Sequence, residues 1–236
     1  MTTTSERLSE ALAFLEAKGT RSTREGMARY GITAKKAYGV PVGTIKQLAK
    51  KLGRDHALAI ALWKTGWYEA RLLTAFVGDP AKVTVAQMNA WSKDFDSWAV
   101  VDTLCFNFLD LSPEAWKVIG PWSRRKDEFQ KRAAFALLAC LAAHDKTSPD
   151  KPFLAAMPLI EAAAGDDRNF VKKGVSWALR LMGRRSPALY AHCITLAREL
   201  AASDESSARW IGKDVLRDLE KPALRKKLAA KKGSTR

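Results

Sequence analysis

The sequence predicts an all-α chain, a HEAT-like helical-repeat superhelix (a solenoid) with one long concave face. Three observations lead there. Apolar residues recur at helical spacing along almost the whole length. No segment alternates apolar and polar residues as a half-buried strand would, and no hairpin turn signal interrupts the pattern. Helical segments of about 10–18 residues alternate with short loops, and paired helices in repeats of about 40 residues match the HEAT class better than a closed bundle.

The elements follow in order. Leu8, Leu12 and Leu15 recur at helical spacing after Ser5, which is a helix N-cap by type. A polar segment follows, holding Met27-Ala-Arg-Tyr30 and Ala37-Tyr-Gly-Val-Pro41. Val42 to Leu52 and Ala57 to Lys64 read as two short helices divided by Gly53. Trp67 to Val77 is the next, closed by Gly78-Asp-Pro80. Val85 to Trp91, Phe95 to Leu109 and Pro113 to Ile119 come after it. Lys126 to Ala143 is long and, beyond Arg132, apolar nearly all round, which marks a central, buried helix. Pro152 to Ala164, Asn169 to Met182, Pro187 to Ala202 and Ser206 to Leu219 complete the series. These helices make one repeat domain over residues 1–220. Residues 221–236 hold seven basic residues and no acid. That basic tail is either a nucleic-acid-binding arm or a solvated helix end.

Charge speaks to partners. Forty Lys and Arg against 25 Asp and Glu leave a net +15 over 236 residues. A polyanion is the natural partner of such a chain, and nucleic acid comes before a membrane surface. No apolar run approaches the roughly 18 residues of a membrane span, and the first residues lack the basic and apolar regions of a signal peptide. Cys105, Cys140 and Cys193 are far apart in apolar patterns, with no CxxC and no Cys/His cluster. That excludes the usual zinc motifs and suits a reducing compartment, the bacterial cytoplasm being the expectation. His56, His144 and His192 are scattered. No P-loop, Rossmann fingerprint or GxSxG motif occurs. No metal and no cofactor are therefore expected, and nucleotide-driven and serine-hydrolase chemistry are set aside.

Three segments carry polar or aromatic groups that helical packing does not require. In Asn169 to Arg184, Val171, Val175, Ala178 and Met182 share one face at about 100° per residue. Trp177 points the other way, with Lys173, Arg180 and Arg184 on its side. Either the indole packs on a neighbouring repeat, or the cations hold phosphates while the indole lies on sugars or bases. In Asp94-Phe-Asp-Ser-Trp98-Ala-Val-Val-Asp102, either Asp94 or Asp96 can cap the helix, and Val101, Leu104, Cys105 and Phe108 form its apolar stripe. Trp98 and Asp102, four apart, share the edge of that stripe. A carboxylate beside an aromatic wall can stabilise positive charge and position a water; alternatively Asp102 pairs with an arginine. Arg132, in Gln130-Lys-Arg132-Ala-Ala, enters the buried helix and needs an anionic partner: Asp102 or a phosphate, or else a plain ion pair between repeats.

In this order, Met27-Ala-Arg-Tyr30, Trp67-Tyr-Glu-Ala-Arg71, Trp98-x-x-x-Asp102, Gln130-Lys-Arg132-Ala-Ala and Phe170-Val-Lys-Lys-Gly-Val-Ser-Trp177-Ala-Leu-Arg180 resemble the DNA alkylation repair family, the AlkD-like HEAT-repeat DNA glycosylases. The resemblance runs from about residue 20 to residue 220, and it implies an all-α superhelix with a basic concave groove for duplex DNA. It implies excision of cationic N3- and N7-alkylated purines, of the 3-methyladenine and 7-methylguanine type, from duplex DNA in base excision repair. Such enzymes work without flipping the base and leave an abasic site. It implies that Asp102 is the catalytic carboxylate, that Trp98 and Trp177 flank the deoxyribose, and that Arg132 holds the backbone. Tyr30 matches a DNA-contacting position, and Lys172, Lys173, Arg180 and Arg184, on the helix of the second tryptophan, are expected to bind DNA as well. Glu69 and Arg71 match a pattern read as structural, ion-paired between helices. Ser97 stands where some members carry a second aromatic. The family also contains members that bind branched DNA without excising bases. The expectation is thus a monomeric, nucleoid-associated DNA-alkylpurine N-glycosylase. The alternatives are a non-catalytic binder of distorted or branched DNA, or a helical protein-interaction scaffold.

Overall fold

The structure is a computed structural model describing residues 3–233, with side chains described to residue 230. Among the described residues every regular element is a helix. The chain divides into two compact units, Met1–Ala115 and Trp116–Arg236. No described helix is long and apolar enough to cross a membrane.

The first unit holds α1 (Thr4–Lys18), α2 (Arg21–Gly26), a 3₁₀ turn (Met27–Tyr30), α3 (Val42–Leu52), α4 (His56–Lys64), α5 (Tyr68–Val77), α6 (Val85–Ser92), α7 (Trp98–Asn107) and a 3₁₀ turn (Leu109–Leu111). Helix α1 begins earlier than Ser5 suggested. Thr3 is its N-cap and forms a reciprocal capping box with Glu6, so both exposed N–H groups find partners locally. Helix α2 lies in the segment that read only as polar. It buries no side chain of its own, which is why no apolar periodicity announced it. Between α2 and α3, Gly39 turns the chain at φ 84. A Cβ there would overlap the Thr20 carbonyl and the Arg24 amide, so only glycine suits.

Helix α5 packs against α3, α4 and α7. Its core is aromatic. Trp63 stacks on Trp91 at 4.9 Å between centroids and meets Phe95 edge-on at 6.1 Å. Phe108 lies 6.1 Å from Trp91. Each such pair contributes roughly 0.5–1.5 kcal/mol beyond area burial. Trp63 keeps its indole N–H satisfied by donating to Asp94 Oδ2 at 2.8 Å.

The second unit holds α8 (Ala115–Ser123), α9 (Glu128–His144), α10 (Lys151–Ala163), α11 (Asn169–Gly183), α12 (Pro187–Ala201), α13 (Ser206–Leu219) and α14 (Pro222–Gly233). Every residue of α9 from Arg132 to Ala142 is buried, as its apolar circumference required. Helix α11 packs along α9 on one side and α13 on another. The α12–α13 crossing is close: a Cβ on Gly212 would overlap the Ala197 carbonyl and the Ala201 backbone. Ser186 caps α12 ahead of Pro187 by accepting from the Leu189 N–H. The basic tail continues as α14 beyond Glu220, and Leu228 anchors it by burial. Residues 234–236 lie outside the described residues.

Candidate nucleic-acid interface

Helix α7 is positioned by its N-cap and its apolar side. Ser97, buried, accepts from the Ala99 N–H at 3.2 Å. Asp94 and Asp96, the expected caps, instead pair with Arg71 of α5. A serine rather than a second aromatic at 97 is thus what starts the helix in this chain. Val101, Leu104, Cys105 and Phe108 are fully buried, as the stripe required. Trp98 and Asp102, one turn apart, are both half-buried at its margin.

The structure brings Trp98 and Tyr30 together. The Trp98 Nε1–H donates to the Tyr30 carbonyl at 2.8 Å. Tyr30 ends the first 3₁₀ turn, which Gly31 closes in the left-handed region at φ 68, and 70% of its surface is exposed. The bond orients the indole and ties the turn, leaving the phenol ring outward.

Glu69 fixes the adjoining segment. Its side chain is fully buried. Its Oε2 accepts from the Tyr38 N–H at 3.0 Å, and its Oε1 from Gly39 at 2.7 Å and Val40 at 3.2 Å. Three successive backbone donors surround one carboxylate, an anion nest filled by the protein itself. Glu69 is therefore structural, but through a loop backbone rather than an ion pair. Arg71 does pair between elements, with Asp96 at 3.3 Å and Asp94 at 3.8 Å, and it lies over the Trp63 ring at 5.0 Å. Tyr38 stacks flat on Trp67, centroids 3.9 Å apart at 9°. Burial, then the Glu69 and Asp96 carboxylates, push the Tyr68 phenol up to about 12.

In the second unit Arg132 is 6% exposed and its Nη1 donates to the Phe170 carbonyl at 2.7 Å. Glu128 accepts from the Phe170 N–H at 3.0 Å. The first turns of α9 thus bind both polar groups of one residue at the start of α11 and set the register of the two helices. Phe129 and Phe170 lie 5.3 Å apart.

Helix α11 shows the expected faces. Val171, Val175, Ala178 and Met182 are fully buried, and half-buried Trp177 lies opposite. Beside it Lys173 is exposed. The two arginines are committed to α13: Arg180 Nε lies 3.6 Å from Asp214, and Arg184 forks onto Asp218 with Nε–Oδ2 2.9 Å and Nη2–Oδ2 2.6 Å. Ser176 also donates to Asp214, at 2.6 Å. Burial opposes ionisation of Asp218, but the bonds from Arg184 and Lys221 outweigh it and hold its carboxyl below the usual range. Lys172 is separated from this face. Five residues from Trp177, it is turned about 140° round the helix, and its Nζ lies 5.1 Å from the Trp210 ring of α13. Sequence reasoning missed the ladder on α13. Its signal is the matching four-residue spacing of Asp214 and Asp218 against Arg180 and Arg184.

Residues 11–203 match the family of DNA alkylation repair enzymes. No curated protein matches the chain. A solved structure described as a new family of proteins related to the HEAT-like repeat DNA glycosylases, with affinity for branched DNA structures, is similar in fold. It has a TM-score of 0.72 at 19% identity and covers 89% of this chain and 94% of that one.

Proposed function

This chain belongs to the DNA alkylation repair family, and from that premise we propose that it is a DNA glycosylase releasing cationic N3- and N7-alkylated purines from duplex DNA without base flipping. The observation that carries the reading is the α7 arrangement: an indole locked by its hydrogen bond to the Tyr30 carbonyl, with a carboxylate one turn further along the same helix face. An alkylated purine already bears positive charge and leaves readily, so acid catalysis is dispensable. The barrier lies in the cationic sugar that develops as the N-glycosidic bond breaks. Asp102 stabilises that charge and positions the water that takes the base's place. Trp98 and Trp177 lie against the deoxyribose, Arg132 holds the backbone, and Tyr30 and Lys173 contact the flanking strand. Arg180 and Arg184 serve through their α13 partners, which hold the Trp177 face in register, and Lys172 contributes charge from another side of α11.

The test is release of 7-methylguanine or 3-methyladenine from duplex DNA, with Asp102→Asn beside the wild type. Release well above the spontaneous rate, lost in the variant while DNA binding persists, is the expected result. No release by the wild type removes the glycosylase reading, and equal release by the variant removes Asp102 from it. A second reading, recognition of branched DNA without chemistry, is favoured by the fold it shares with a protein of that affinity. Tight junction binding with no base release selects it.

A further inference from the structure

The first unit contains a cavity of about 420 Å³ among the C-terminal ends of three alternate helices, α3, α5 and α7. Lys46, Lys50 and Arg54 come from α3 and the turn beyond it, Phe76 from the end of α5, and Asn107 from the end of α7. None of its described lining residues is acidic. This sets it apart from a cavity of about 520 Å³ in the second unit, where Asp150 is present and Arg184 is already forked onto Asp218.

Three details give the cations a common direction. Lys46 and Lys50 are one turn apart, so their side chains are neighbours. Lys46 Nζ is held 5.5 Å from the Phe76 ring centroid, which keeps the ammonium over the cavity. Arg54 is fixed by donating one N–H to the Gly78 carbonyl, leaving other donors of its guanidinium. Asn107 is oriented by its own bond to the Thr103 carbonyl at 2.8 Å. Lys50 and Lys51 would already satisfy the helix dipole at the end of α3. Arg54 likewise answers the C-terminal end of α5 at Gly78, but Lys46, in the middle of α3, is at no end of its own helix and still faces this space. Like charges converge at that cost where an anion is to be held.

We propose that this cavity seats a backbone phosphate of DNA. The ligand chemistry is a phosphodiester, and the seat shares helix α7 with Trp98 and Asp102 through Asn107. Asn107 is five residues beyond Asp102 on α7, about 8 Å along the axis and turned about 140° round it, so the seat serves a stretch of backbone apart from the one beside Trp98. The inference rests on the reading that the chain binds DNA, and is independent of base release.

The experiment measures affinity for undamaged duplex against salt concentration. Lys46→Ala and Lys50→Ala are each expected to weaken binding several-fold and to lower the slope of log K against log salt by about 1. The control is Lys51→Ala. Lys51 is on the same helix but lies 6.0 Å from the Phe14 ring, outside the cavity. Its variant should keep the wild-type slope. Phe76→Leu should weaken binding, and less so when Lys46 is already alanine. Unchanged slopes in both cavity variants, or an equal loss in Lys51→Ala, overturn the seat while leaving DNA binding intact. A wild type whose binding ignores salt overturns the DNA reading as well. Inorganic phosphate, titrated calorimetrically at fixed ionic strength, should show no saturable binding at micromolar concentration. If it does, a small phosphate compound and not DNA is the occupant.

Discussion

Replacing Glu69 by Gln tests the clasp that holds residues 38–40. The carboxylate accepts three backbone bonds at 3.0, 2.7 and 3.2 Å from a fully buried position. Hydrogen bonds to a charged group contribute about 1.5–3 kcal/mol each, neutral ones about 0.5–1.5. In the glutamine variant the Gly39 and Val40 bonds survive as neutral bonds to one oxygen, a loss of about 1 kcal/mol each. The amide nitrogen then faces the Tyr38 N–H, donor against donor, which costs a further bond and strands a donor, about 2–3 kcal/mol. Removing a buried charge offsets part of this, by up to several kcal/mol. The net expectation is a destabilisation on the order of 2–3 kcal/mol, a fall in Tm of about 5–10 °C for a chain of this length. Urea unfolding followed by far-UV circular dichroism reads it as a lower midpoint at unchanged slope. The Tyr38–Trp67 stack on the same segment should weaken, with a change in the near-UV spectrum. A variant within about 0.5 kcal/mol of wild type, an effect no larger than that of an ordinary surface substitution, would refute the assignment of Glu69 as the clasp.

Two further predictions concern other contacts. Trp98→Phe removes the bond to the Tyr30 carbonyl, which water can then reach, so stability should fall by only about 0.5–1 kcal/mol. Amide exchange at Gly31 and Ile32, which close the Tyr30 turn, should nevertheless quicken, and unchanged exchange would show that the indole does not hold the turn. Asp166 accepts from Arg168 and Lys131, and these bonds, Arg168 foremost, depress its carboxyl well below the usual range against the opposing effect of burial. A depressed folded-state value means that its stabilisation is present above the unfolded value, near 3.9, and is lost as pH falls through the folded one. Asp166→Asn should therefore cost roughly 2–3 kcal/mol at pH 7, and the gap to wild type should shrink steadily once the pH drops below about 4. A gap of constant size from pH 7 to pH 3, read from urea midpoints, would contradict this.

The helices were legible because burial writes a period of 3.6 into the residues. Val42–Leu52 and Ser206–Leu219 coincide with the expected bounds, and the all-round apolar stretch after Arg132 is the buried α9. Where burial is absent the signal fails. Helix α2 is exposed, so no apolar period marks it, and α14 has one buried anchor, Leu228, so its sequence reads as an arm or as a solvated helix end. Caps were legible by type but not by position. Ser, Thr and Asp are each competent, and Thr3 and Ser97 were selected over Ser5, Asp94 and Asp96 by where the chain turns.

The candidate residues show the same division. Periodicity alone set Trp177 opposite the buried face of α11 and set Trp98 beside Asp102 on α7, because side chains on one helix are related by a fixed rotation. Which groups those side chains meet depends on other helices and loops, far away in sequence. Only the tertiary structure joined Trp98 to Tyr30, 68 residues earlier, filled the carboxylate of Glu69 with backbone donors, and committed Arg180 and Arg184 to Asp214 and Asp218. It also gathered Lys46, Lys50 and Arg54 at a cavity that no motif marked. The sequence by itself determined an all-helical, strongly basic chain, since charge and period are sums over residues, and its ordered motifs carried the resemblance to the DNA alkylation repair family. The partner of each charge was decided by packing, because a hydrogen bond or ion pair acts within a few ångströms and sequence distance does not measure that separation.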